Sequence, residues 1–195
     1  MPPAALIDPN PSHRLGPFKG PSTTVATMIE QVRGQRGERS VLVRGATESV
    51  VAALQPKDYL SEILAIRYWV AEHVRFLNDP LTTEWVKDPQ RIVEEILASG
   101  GSRSGSADFA TKLSRGTTNC DCDEISELIA TMARQVGREA QFVTVGFGPA
   151  GHYSHVFSRV KEPKSNSWIV CDPVAGTEEG KMLRRVTTYR IWEID

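Results

Sequence analysis

The residues of this chain whose types and spacing could do chemistry are a cysteine at the start of a helix, a histidine on one strand and an aspartate at the end of the next. Ile125, Leu128, Ile129, Met132, Ala133 and Val136 recur at i, i+3, i+4, i+7, i+8 and i+11, which predicts a helix with one apolar face against a core. Gly137 ends it. Cys122 then falls in the first turn, with Asn119 or Asp121 available as a cap and unsatisfied backbone N–H groups around it. The positive end of the helix dipole favours the anion there and lowers the thiol pKa, which is what a thiolate nucleophile needs. The competing reading of Cys122 is a small buried hydrophobe.

A nucleophile of this kind works with a base and a group that orients the base. Tyr153 to Val160 reads as a strand carrying His155, and Trp168 to Asp172 as a strand ended by Pro173. The segment KEPKSNS between them is turn-forming. A hairpin centred on Pro163 and Lys164 sets Trp168 opposite Arg159, Val170 opposite Phe157 and Asp172 opposite His155. Directly opposed side chains share a face with Cβ atoms about 5 Å apart, so the Asp172 carboxylate can hold the His155 imidazole. Cys122, His155 and Asp172 are therefore the expected catalytic set, as thiol, base and orienter. His152 is the rival base, three residues away and on the other side of any strand that reached it.

Cys120 has three readings: a bystander, a resolving thiol for Cys122, or a metal ligand with Cys122, Cys171 and a histidine. The C-x-C spacing is not that of a zinc knuckle, so no metal and no cofactor is expected. Cys171 should point away from the Asp172 face, into the core. The backbone N–H of Cys122 is the natural oxyanion donor, with Trp85, Tyr153 or Asn119 as side-chain candidates. Trp69, Trp168 and Trp192 read as packing groups, and Arg44, Arg67, Arg75 and the Lys181–Arg185 cluster as solvated charge.

Other elements must position this set. Val25, Met28, Ile29 and Val32 predict a helix capped by Ser22 or Thr23, and a second runs from about Ser40 to Leu54. Ile63, Ile66, Val70, Val74 and Leu77 predict a long helix from Asp58 to Leu77. Asp88-Pro89 offers an N-cap and a first-turn proline for a helix carried by Ile92, Val93, Ile96 and Leu97. Ser99 to Thr118, rich in glycine and serine, reads as a mobile loop. Gln141 to Phe147 and Arg185 to Ile194 add two strands to the hairpin. Helices first and an antiparallel sheet after them make an α+β domain. Six of the twelve prolines fall within residues 1–21, which predicts an extended Pro-rich arm there and one domain over 22–195.

The chain has 195 residues, 23 basic and 24 acidic side chains, a net charge of −1, 40% hydrophobic residues and three cysteines. The length suits one core without disulfide stapling, and the balanced charge offers no footprint for nucleic acid. No apolar run approaches the 18 or so residues of a membrane span. The opening MPPAALIDPNPSH lacks the pattern of a signal peptide. An odd cysteine count, two of them two residues apart, fits a reducing, cytoplasmic setting.

The stretch CDEISELIATMARQVGREAQFVTVGF resembles the transglutaminase-like superfamily, in which a cysteine opens an amphipathic helix that closes on Arg-x-x-Gly and leads into a strand. HVFSRV and WIVCDPV look like its histidine strand and its aspartate before proline, and VRFLNDPLTTEWVKDPQRIVEEI is similar to the part preceding the cysteine in short, single-domain bacterial and tailed-phage members. Residue by residue, Cys122 matches the nucleophile, His155 the base and Asp172 the orienting carboxylate. Cys120 stands where a glycine is common, and Glu124 where an aspartate is. The resemblance spans about residues 60 to 175. It implies a papain-like fold and cysteine-dependent acyl transfer on an amide of a protein or peptide substrate, with water or an amine as acceptor. The setting it implies is the bacterial host cytoplasm, or the virion if phage-encoded. It also leaves open a non-catalytic virion component whose arm meets phage structural proteins.

Overall fold

The computed structural model describes residues 13–16, 21–78, 84–101, 108–149, 152–174 and 186–195. Helices α1 (Pro21–Arg33), α2 (Val41–Val51) and α3 (Tyr59–His73) follow one another after a short first strand. Ser40 caps α2 and Asp58 caps α3, each accepting a backbone N–H three residues on. Strand β1 (His13–Gly16) pairs antiparallel with β3 (Glu84–Val86), so part of the expected arm is hydrogen-bonded into a sheet. Residues 1–12 and 17–20 lie outside the described residues.

Two departures follow α3. The expected helix to Leu77 stops at His73, because Val74–Phe76 forms β2 and pairs in parallel with β4 (Thr118–Cys120). The expected loop from Ser99 to Thr118 contains a short helix, α5 (Phe109–Arg115), capped by Asp108, and ends on the first residue of that strand. Residues 102–107 are outside the described set. Before α5, α4 (Pro89–Ser99) starts with Asp88 as cap and Pro89 in its first turn, as Asp88-Pro89 predicts.

The central helix is α6 (Cys122–Gln135), ended by Gly137 at a φ of 76°. After it come β5 (Ala140–Gly146), β6 (His155–Glu162), β7 (Ser167–Cys171) and β8 (Thr188–Glu193), an antiparallel sheet in the order β7-β6-β5-β8. The described molecule is thus α+β. Helices pack on one side of α6 and the sheet on the other. The core joins Met28 and Val32 of α1, Ile66 and Val70 of α3, Leu128, Ile129 and Met132 of α6, and Phe142 and Val160 of the sheet. Each such side chain contributes about 1.5–3 kcal/mol on burial.

With neighbours on all sides, α6 buries its polar positions too, not one face only: Asp123, Glu124, Ser126, Glu127 and Thr131 are all buried. Arg67 of α3, expected in solvent, is 5% exposed, with its guanidinium 5.7 Å from the Tyr68 ring. Arg44 and Arg75 are exposed; Lys181–Arg185 lies outside the described residues. Trp192 of β8 donates its indole N–H to Thr144, and Trp69 stacks on His73. Among the described residues no helix is long and apolar enough to cross a membrane.

Candidate active site

Cys122 is the first residue of α6, and its placement is fixed by the acidic residues around it. Asp121 caps the helix, accepting the backbone N–H of Asp123, while the Glu124 side chain reaches back to the N–H of Asp121. This reciprocal capping secures the turn that presents the thiol. Cys122 is partly exposed, at a cavity of about 200 Å³ that Thr24, Asp123, Tyr153 and His155 also line.

His155 opens β6, and by strand alternation shares a face with Phe157, while Val156 and Val160 turn toward the core around α6. Being first in its strand, His155 stands at the sheet end where the N-terminus of α6 arrives. Its Nε2 lies 2.8 Å from Oδ2 of Asp172, just beyond β7. The expected register is corrected by two residues: Ser158 pairs with Cys171 and Arg159 with Val170, so Asp172 falls level with Phe157. The cause is the turn, which spans residues 163–166, with Asn166 at a φ of 55° and the Glu162 carboxylate accepting the N–H groups of Lys164 and Ser165. A shift of two keeps every side chain on its face, so Asp172 reaches His155 diagonally.

Burial works against a charged His155. It is outweighed by the hydrogen bond that the imidazole donates to Asp172, by the nearby Cys122 and by the charge of the carboxylate, and the imidazole pKa is pushed up to about 9. With Nε2 on Asp172, the other ring nitrogen is the one left for the thiol. The arrangement favours an imidazolium held by a carboxylate at the cavity that Cys122 also lines.

Cys120 behaves oppositely. It is 2% exposed, on β4 opposite Phe76. Burial, with Glu124 nearby, pushes its thiol well above the ordinary range, against the pull of Lys87. Glu124 itself is raised by burial despite Lys87, whose backbone N–H it accepts at 3.1 Å. Cys171 is buried in the main core. His152 is exposed in the loop before β6 and does not line the cavity. Of the side chains weighed as oxyanion donors, Tyr153 lines the cavity, whereas Asn119 is exposed on β4 and Trp85 lies on β3. Among the described residues no group of three His, Cys, Asp or Glu is arranged to hold a metal ion.

Three contributors are not evident from the sequence pattern. Ser126, one turn after Cys122, directs its hydroxyl toward the carbonyls of Cys122 and Val156, and Ser158 donates to the Ser126 carbonyl. These bonds tie the cysteine helix to the histidine strand. Asp123, also lining the cavity, is 2% exposed with neither carboxylate oxygen hydrogen-bonded. Serine and acidic residues on a helix read as its solvent face, so only the acidic run beside Cys122 hints at them. Neither a family model nor a curated protein matches this chain.

Proposed function

We propose that this protein carries out cysteine-dependent acyl transfer on an amide through Cys122, His155 and Asp172, in a papain-like domain of transglutaminase type. The observation that carries the reading is the position of His155, 2.8 Å from Asp172 and lining the same cavity as Cys122 at the start of α6. The Cys122 thiolate attacks the amide carbonyl carbon, and the π-electron pair moves to oxygen, where the backbone N–H groups at the start of α6 receive it. Collapse breaks the C–N bond as His155 gives its proton to the departing amine, leaving a thioester on Cys122. Water or a second amine then attacks the thioester carbonyl, losing a proton to His155. The thiolate leaves, and an acid or a new amide is released. Asp172 keeps the ring oriented throughout.

The alternative, a scaffold protein that uses the same fold without chemistry, is separated by one experiment. Alkylation by iodoacetamide is followed at each cysteine by mass spectrometry from pH 5 to 10. Cys122 is expected to react at pH 6–7 well above the rate of an ordinary thiol of pKa about 8.5, while Cys120 and Cys171 stay unmodified until the protein unfolds. A Cys122 rate that simply follows an ordinary thiol titration would overturn the reading.

A further inference from the structure

A buried carboxylate with no hydrogen bond is costly, so a native one calls for an explanation in terms of what it meets. Asp123 is such a group: 2% exposed, both oxygens unpartnered, and in the wall of the cavity that holds Cys122 and His155. Its backbone N–H is bonded to Asp121, which lines the same cavity. Two carboxyl groups thus flank the cysteine, no lysine or arginine among the described residues lines the cavity, and His155 is already paired with Asp172. Burial alone disfavours a charged carboxylate, and an ammonium entering beside Asp123 would reverse that balance, so such a wall suits a cation and not an anion.

We infer that the cavity beside Cys122 binds the ammonium group of its substrate, with Asp123 as the counter-charge. This rests on the acyl-transfer reading in one respect, the placing of the ammonium on the acyl side of the amide. Asp123 follows Cys122 directly, and consecutive Cα atoms are about 3.8 Å apart, so a cation held there lies close to a carbonyl under attack by the thiol. The substrate class is an aminoacyl amide with a free α-amine, as at the N-terminus of a peptide. An amine bound as ammonium has no lone pair for attack, which makes this a site for the acyl donor and not for an attacking amine.

Binding to the full chain carrying Cys122→Ala, which cannot turn over, tests this directly. Alaninamide and N-acetylalaninamide are titrated separately at pH 6.5, where an α-amine of pKa about 8 is charged, and amide chemical shifts are followed by NMR. Alaninamide should bind about tenfold more tightly or better, the scale of a charged hydrogen bond. Adding Asp123→Asn should bring the two ligands to within about twofold. Equal binding in the Cys122→Ala chain overturns the inference without reference to the second variant, as does discrimination that survives Asp123→Asn. The outcome is independent of Cys122 alkylation: discrimination without an activated Cys122 leaves the ammonium pocket standing and removes the acyl transfer, and activation without discrimination does the reverse.

Discussion

Cys120 and Cys122 stand two residues apart and meet opposite surroundings. Cys122 opens α6, faces a cavity, and has an imidazole held by a carboxylate. Cys120 ends β4, is closed off from solvent, and has a carboxylate, Glu124, as its neighbour. Each thiol therefore has an acidic residue within its network, Asp172 through His155 in one case and Glu124 directly in the other. The difference lies in what stands between. Asp172 acts toward Cys122 through the imidazole, which it holds toward the charged form, whereas Cys120 is pushed up first by burial and then by Glu124 directly. The proposed difference in reactivity rests on the order of neighbours, not on residue type.

Replacing one carboxylate at a time puts the greatest load on this contrast. Asp172→Asn should lower amide turnover on the order of 100-fold and move the alkaline limb of kcat/KM down from about 9 toward the ordinary histidine value. The sign follows from the folded-state pKa, raised above the unfolded one: the protonated imidazole is favoured in the fold, and that contribution is present below about 6.5 and lost as pH rises through about 9. Glu124→Gln removes one of the oxygens that accept the Lys87 and Asp121 N–H groups. It should cost about 1–3 kcal/mol of stability by chemical denaturation while the alkaline limb stays in place. Equal shifts of the limb in both variants would break the contrast.

How much of this is legible in the sequence depends on the range of the interactions. Caps at Ser40, Asp58 and Asp88 and the apolar spacing of α6 are local, and both are readable from a few consecutive residues. The His155–Asp172 pairing is readable by parity alone: the turn spans four residues with Asn166 at a positive φ, and a register error of two leaves the faces unchanged. The parallel pair β2–β4 is not readable, because three-residue strands lack an alternation and their partners lie some forty residues apart. The hydroxyl and carboxyl groups of α6 are hidden for another reason. Periodicity counts apolar residues, and a helix enclosed by a sheet and other helices buries its polar positions as well.

A milder probe acts on the geometry around Cys122 and leaves the charges beside it intact. Ser126→Ala removes the hydroxyl that reaches the carbonyls of Cys122 and Val156, and Val156 is the neighbour of His155. The expected result is an alkylation rate of Cys122 lowered about tenfold at pH 6, where the thiolate depends on His155, and little changed at pH 10, where it forms unaided. A uniform fall at both pH values would mean that Ser126 shapes access to the thiol and not its contact with the imidazole.

The last test of the contrast uses a carboxyl that, among the described residues, has no imidazole and no cation acting on it. Glu127 is 0% exposed, both oxygens are unpartnered, and burial, with Asp88 and Glu124 nearby, pushes its pKa well above the ordinary range. Burial therefore favours the neutral carboxyl in the fold over a range of pH in which the unfolded chain, ionising above about 4.5, is already charged. Because the unfolded state then releases a proton that the folded state keeps, stability falls as pH rises from that point, by up to about 1.4 kcal/mol per unit. Glu127→Gln has no such proton to lose. The variant should match the parent protein at pH 4 and exceed it by about 1–3 kcal/mol at pH 7 in urea unfolding. Parallel pH profiles would mean that a partner offsets the charge of Glu127 in the fold, and the distinction between a relayed and an unrelayed carboxylate would then rest on Cys120 and Cys122 alone.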